Sequence, residues 1–282
     1  MPILSFFDNN NGALTGWNRM LSATNIPAGS VVDDTNTVVP GVSITVPTTV
    51  MYNSGVGGGP ASTSGDASWV SPSTHFSDRL QLDTIDSWLP VVYGGLDDET
   101  EYLVMVWGWL GSGANRITQG RVNGGSIHTL STVNNTTNVM SFVVNPVSGN
   151  ITLELARHST SSGGPAYAQC VYIGEYVAAP TLIVQNGDLQ PGKESEILCT
   201  NFPTAPDAST AALITYVNGI ATNSMLVSAN VTDNLDTTYT VRFTMPAWST
   251  VVGATAASLR TTHVDIPNGI NITHKFTINP SA

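Results

Sequence analysis

Extended runs in which apolar and polar residues alternate, each cut short by Asn, Gly or Pro, constrain this chain more than any other feature. Ile151, Leu153 and Leu155 fall on one side of an extended backbone while Thr152 and Glu154 fall on the other, the pattern of a strand with one buried face. Met140, Phe142 and Val144 repeat it, and Asn145-Pro146 and Ser148-Gly149-Asn150 supply turn chemistry that would break a helix. The two runs read as neighbouring strands joined by a short turn. No long segment repeats apolar residues at helical spacing, and Gly (26) and Pro (16) are frequent, so the expected fold is all-β.

The stretch from Gly95 to Tyr176 carries a resemblance. GLDDETEYLVMVWG, then an Arg-containing run, RVNGG, NNTTNVMSFVV, GNITLEL and the final AYAQCVYIGEY resemble bacterial galactose-binding-like modules, a carbohydrate-binding-module-like jelly-roll β-sandwich. The start is similar too, in Phe6-Phe7-Asp8, the Trp17-Asn18 pair and Gly41 to Val46. The resemblance spans residues 3 to 178 and implies a two-sheet domain often found beside sugar esterases. A chain of 282 residues then leaves room for a second domain, with the seam at Ala178-Ala179-Pro180. The expected division is a jelly-roll domain over residues 1–179 and a smaller immunoglobulin-like β-sandwich over 180–282. In the latter, seven strands are expected: 181–184, 194–200, 211–217, 225–231, 238–245, 257–263 and 274–279.

Charge narrows the partners. The net charge is −11 and Lys193 and Lys275 are the only lysines, so no basic patch exists to neutralise phosphates, and neither nucleic acid nor an anionic membrane is expected as a partner. With charged residues at only 10%, strand edges are poorly guarded, which is tolerable when partners cover them. No apolar run approaches the ~20 residues of a spanning helix. MPILSFFDNNNG lacks the basic and apolar regions of a secretory signal, and a Met running straight into a strand reads as an intact product made in the cytoplasm.

Catalytic motifs are missing. The five histidines are scattered without HExxH or zinc-ligand spacing, and no GxSxG is present. The enzymes accompanying the resembling modules use a Gly-Asp-Ser block, whereas Gly65-Asp66 here continues to Ala67 and Gly187-Asp188 to Leu189. No catalytic residue is assigned. Cys170 and Cys199, in different domains, read as buried free thiols. The acidic clusters Asp33-Asp34, Asp83 with Asp86, and Asp97-Asp98-Glu99 read as solvated turns, with oxygen ligands for a structural calcium or a hydrolytic carboxylate pair as the alternatives; no other metal or cofactor is expected. The Gly-rich run Gly55 to Gly59 and its neighbours Ala61 to Asp66 read as a surface loop.

Two sets of residues are candidates for recognition. Trp69, Trp88 and Trp109 flank expected loops and, with Arg116 as a hydrogen-bonding partner, form a candidate glycan site; the alternative is that each caps the core. If Tyr102, Val104 and Val106 point inward, Leu103, Met105 and Trp107 form an apolar row on the outer sheet face, where polar residues are usual. Such a row wants a cover, the C-terminal domain, a second copy or a different protein; the alternative is simple burial on both sides within a larger domain. The expected function is a non-catalytic bacteriophage virion-surface protein, a capsid decoration protein or tail appendage. It would dock on other virion proteins, associate with itself, with a trimer as the expected order, and contact cell-surface glycan secondarily. A cellular carbohydrate-binding module or adhesin, and a glycan esterase or hydrolase, are the alternatives.

Overall fold

A computed structural model describes residues 2–7, 14–20, 25–46, 51–53, 59–70, 79–111, 113, 115–162, 164–178, 181–185, 194–201, 212–217, 220–226, 229–235, 238–244, 260–265 and 273–277. The protein is all-β and divides into two compact units, Met1–Tyr176 and Val177–Ala282. The division falls just before the expected seam, of which Ala179 and Pro180 lie outside the described residues.

The first unit contains β1 (Ile3–Phe7), β2 (Asn18–Met20), β3 (Asn25–Ile26), β4 (Ser43–Thr45), β5 (Met51–Asn53), β6 (Arg79–Leu82) and β7 (Leu89–Gly94). It continues with β8 (Tyr102–Trp107), β9 (Ile117–Val122), β10 (His128–Ser131), β11 (Met140–Val144), β12 (Asn150–Arg157), β13 (Ala166–Ala168) and β14 (Cys170–Glu175). A five-stranded sheet runs β11-β8-β14-β1-β2 and a six-stranded sheet β10-β9-β12-β7-β4-β3, with β13-β6-β5 as a third. Among the described residues every strand pair of this unit is antiparallel except β1 with β2.

The alternation read from the sequence builds the core. Val104 and Val106 of β8, Met140 and Phe142 of β11 and Val171 and Ile173 of β14 meet Val91 and Tyr93 of β7, Val122 of β9 and Ile151, Leu153 and Leu155 of β12 in one cluster. Each such side chain taken fully out of water contributes about 1.5–3 kcal/mol before conformational entropy is subtracted. Gly120 of β9 belongs to the same layer: a Cβ there would lie 2.5 Å from Met140 Cε and 3.2 Å from Leu155 Cδ2, so the two large side chains occupy its place.

One expectation is corrected. β11 and β12 are not neighbours in a sheet; β11 pairs with β8 and β12 with β7 and β9, so they face each other across the core. The turn between them is as short as expected. Val147 and Asn150 exchange backbone hydrogen bonds of 2.8 and 3.2 Å around Ser148 (φ 53°) and Gly149 (φ 75°), the two left-handed positions of a type I′ turn. Local sequence specifies such a turn, but which strands then pair depends on the rest of the sheet.

The Trp17-Asn18 pair has a structural role. Buried Asn18 donates from Nδ2 to the carbonyls of Leu4 (3.0 Å) and Val32 (2.7 Å) and accepts from the Val32 N–H (2.9 Å), tying the loop after β3 to β1. That loop closes on Asp33, 1% exposed, whose Oδ1 accepts from the Thr35 N–H and hydroxyl and the Thr37 N–H. The Thr35 hydroxyl first, then the Thr37 N–H, holds the carboxyl below the usual carboxylate range against the opposing effect of desolvation.

The second unit contains β15 (Thr181–Val184), β16 (Glu194–Thr200), β17 (Ala212–Val217), β18 (Ile220–Leu226), β19 (Ala229–Asp233), β20 (Thr238–Thr244), β21 (Arg260–Asp265) and β22 (Thr273–Thr277). They form two four-stranded antiparallel sheets, β15-β16-β20-β19 and β18-β17-β21-β22. Ile197 and Cys199 of β16 and Val241 and Phe243 of β20 are buried, while Glu196 faces Arg242 across the strands at 2.9 Å. Of the expected strand ends, Ala211, Met245, Ala257 and Asn279 lie outside the described residues. The expected strand 225–231 is instead the end of β18 and most of β19. β18 (IATNSML) begins where no strand is expected: its polar middle hides the alternation, and it forms by pairing with β17 across a register shift at Thr215/Tyr216.

Candidate docking faces and recognition residues

The outer face of the five-stranded sheet carries a second apolar layer. β8 alternates as expected: Tyr102, Val104 and Val106 point into the core, so Leu103, Met105 and Trp107 point out. Trp107 is nevertheless 0% exposed, packed in a cluster with Leu4 and Phe6 of β1, Trp17, Ala67, Val70 and Cys170 of β14. Its cover is the protein's own chain. Segment 59–70 lies over this end of the sheet, held by Ser64 N–H to the Thr136 carbonyl (2.9 Å) and Ala67 N–H to the Thr137 carbonyl (3.1 Å), and braced within itself by the Thr63 hydroxyl to the Val70 carbonyl (2.8 Å). Ala61, Ser62 and Ser64 to Asp66 stay exposed, whereas Gly55 to Gly58 lie outside the described residues. Trp107 is therefore corrected from a docking residue to the centre of an internal cluster.

Leu103 and Met105 are only half covered. With Val139 and Ser141 they floor a cavity of about 480 Å³, walled by Asp66 and Trp69. Trp69 is fixed as that wall, stacked on Trp17 (6.2 Å between centroids, 22° between planes) and tilted against Tyr172 at 5.7 Å. Cross-strand register sets the floor: Ser141 lies opposite Met105 and Val143 opposite Leu103.

The four glycan candidates do not form one site. Trp69 stands on the outer face of the five-stranded sheet. Trp88 serves the opposite outer face, where the Arg121 guanidinium lies 4.3 Å from its ring centroid and forms a two-point ion pair with Glu154 at 2.8 and 2.9 Å. Hydrogen bonding to Glu154 raises the Arg121 pKa further. Beside them a groove of about 600 Å³ is floored by Val92 and Thr152 and walled by Asn123, Asn150 and Glu154. Trp109 and Arg116 belong to the connection between β8 and β9. Trp109 packs partly buried against the Trp107 cluster, its backbone N–H donating to the Gln169 side-chain carbonyl, and Arg116 donates to the Ser162 carbonyl at 3.4 Å.

Two residues beyond the sequence candidates shape these faces. Arg79 is 1% exposed, donates to the Trp109 carbonyl at 3.1 Å and lies 4.5 Å over the Tyr167 ring, pinning the β8–β9 connection from inside. Arg121 joins Trp88 to Glu154. Arg79 opens a strand (RLQL) that reads as apolar alternation, which hides a buried cation; Arg121 and Glu154 lie 33 positions apart and become partners only through the β9–β12 register.

The acidic clusters are engaged in turns and side-chain bonds. Asp97 accepts from the Glu99 N–H (3.1 Å) and Thr100 hydroxyl (3.1 Å), Asp98 from the Gly149 N–H (2.7 Å), and Asp83 and Asp86 from Gln81 and Gln119. Among the described residues no three His, Cys, Asp or Glu side chains gather as a metal site, and His75 lies outside them. Cys170 and Cys199 are free and buried; burial pushes the Cys170 thiol well up and the Cys199 thiol to about 12. No protein-family model matches the chain, and no curated protein matches it.

Proposed function

We propose that this protein is a non-catalytic building block of a larger particle, a bacteriophage virion-surface component that docks on capsid or tail proteins through the outer face and edge of its five-stranded sheet. The observation that carries this reading is the half-covered floor of Leu103 and Met105, on a sheet face where an isolated module would present polar side chains. The first unit is read as a galactose-binding-like jelly roll because two sheets enclose one core over the span where the resemblance lies. The second is read as immunoglobulin-like. Lettered A, B, C, C′, D, E, F and G in chain order, its strands form sheets A-B-E-D and C′-C-F-G, the order of that fold. The test is co-sedimentation of the full chain with phage particles stripped of it; failure to bind any particle, with turnover of acetylated or glycosidic substrates, overturns the reading.

A second reading, glycan contact, is favoured by Trp88 and the adjoining groove on the six-stranded sheet. Glycan arrays of the wild type and Trp88→Ala test it, and wild-type binding no higher than background removes it.

A further inference from the structure

The edge of the five-stranded sheet has a composition unlike the rest of the protein. Between Arg121 and Glu154 the sequence contains no Asp, Glu, Lys or Arg, in a chain of net charge −11. This run supplies β10 and β11, the strands at one end of each large sheet. Three of the seven exposed large apolar residues among those described, Ile127 (52%), Val143 (43%) and Val147 (63%), belong to it. β11 pairs with β8 in unbroken register over all five residues, and among the described residues no strand lies on its other side. Edge strands are ordinarily guarded by lysine, proline, a bulge or a covering loop, because unpaired N–H and C=O groups template a further strand. Met140–Val144 has no charge, proline or bulge.

We propose that β11 is a self-association edge, pairing antiparallel with β11 of a second copy across a twofold axis at Phe142. This rests on the docking reading above and names one partner for the same face. Two chains of net −11 repel wherever their acids approach, and this uncharged edge is where they can meet. The strand is self-complementary in that register: Ser141 lies opposite Val143 of the second copy, Met140 opposite its Val144, and Phe142 opposite its equivalent. Since Ser141 continues the row of Met105 and Val143 that of Leu103, pairing joins the two half-covered floors into one strip over a ten-stranded sheet. A strand paired with itself closes at two copies, so this proposal gives a twofold axis in place of the expected trimer. The acids lie at the strand's ends. Asp66 is near Thr137, and Asp98 binds the Gly149 N–H and, through its carbonyl, Asn145. Antiparallel pairing brings these ends together, so association strengthens with added salt.

Sedimentation equilibrium of the full chain tests this with three variants. The wild type is expected to reach twice the monomer mass and to tighten with salt. Val143→Lys alters an exposed side chain and should leave thermal unfolding unchanged at dilutions where both proteins are monomeric, while raising the dimer dissociation constant about tenfold or more. An oxidised mixture of Ser141→Cys and Val143→Cys chains should form an interchain disulfide that neither variant forms alone, because in this register the two introduced cysteines face each other, each one's own equivalent lies on the diagonal about 7–8 Å away, and the native cysteines are buried; this arm decides the matter if the lysine variant fails to fold. A wild type that stays monomeric at its highest soluble concentration, a dimer indifferent to Val143→Lys, or no mixed disulfide overturns the proposal. Co-sedimentation of the monomeric variant with phage particles is the separate arm: its failure or success bears on particle docking and leaves these outcomes standing.

Discussion

Replacing Trp107 by Ala removes the centre of the outer apolar cluster without touching the main core. The indole is fully buried between β1, β14 and segment 59–70, and truncating such a side chain costs about 3–5 kcal/mol. One wall is sheet backbone and cannot collapse; the other is a loop that can, which favours the lower half of that range. For a unit of this size each kcal/mol moves the midpoint by roughly 2–4 °C, so a fall of roughly 6–15 °C is expected for the first unit, read by differential scanning calorimetry against an unchanged transition of the second. Hydrogen exchange locates the effect. The amides of Ser64 and Ala67, bonded to Thr136 and Thr137, should lose protection before those of β7 and β12, because their segment is held by the packing that was removed. A midpoint shift below about 2 °C, or a large shift with Ser64 and Ala67 still protected, would refute the claim that Trp107 fastens its own cover.

Three further outcomes follow from the same geometry. Both thiols are buried with raised pKa values, so a thiol reagent should label neither Cys170 nor Cys199 at pH 8 in the native state and both in denaturant; labelling without denaturant would contradict their burial. Asp33 has a depressed folded-state pKa, so its contribution is present above the unfolded value of about 3.9 and lost as pH falls through the folded one; Asp33→Asn should flatten the acid limb of an unfolding curve measured from pH 6 to 2. Gly95 has φ 78°, and a Cβ there would strike the Gly41 carbonyl, so Gly95→Ala should lower the urea-derived stability by on the order of 3 kcal/mol; a loss near zero would mean that β4 and β7 can separate there at little cost.

Legibility followed the range of the interaction. Strands at Met140–Val144, Asn150–Arg157 and Glu194–Thr200 show in alternation alone, since burying one face imposes a period of two. The outward direction of Leu103, Met105 and Trp107 follows from the same rule. Their different fates do not, because what covers Trp107 is a loop about 40 positions earlier, brought there by the Ser64 and Ala67 backbone bonds. β18 does not show in alternation, because its pairing with β17 outweighs a polar interior.

The candidate recognition residues divide along the same line. That aromatic side chains flank loops is a local fact, but the fold sends Trp69 and Trp88 to opposite faces of one sandwich and encloses much of Trp109. Arg79 and the Arg121–Glu154 pair emerge only from register, which sets positions dozens of residues apart side by side. Residue order by itself determined the all-β character, the strand faces, the tight turn at Ser148-Gly149 and the acidic, lysine-poor surface, because each depends on nearest-neighbour geometry or on summed charge. Tertiary structure alone decided that β11 and β12 occupy different sheets and which apolar side chains stay uncovered, because covering a face requires segments distant in sequence to arrive at the same place.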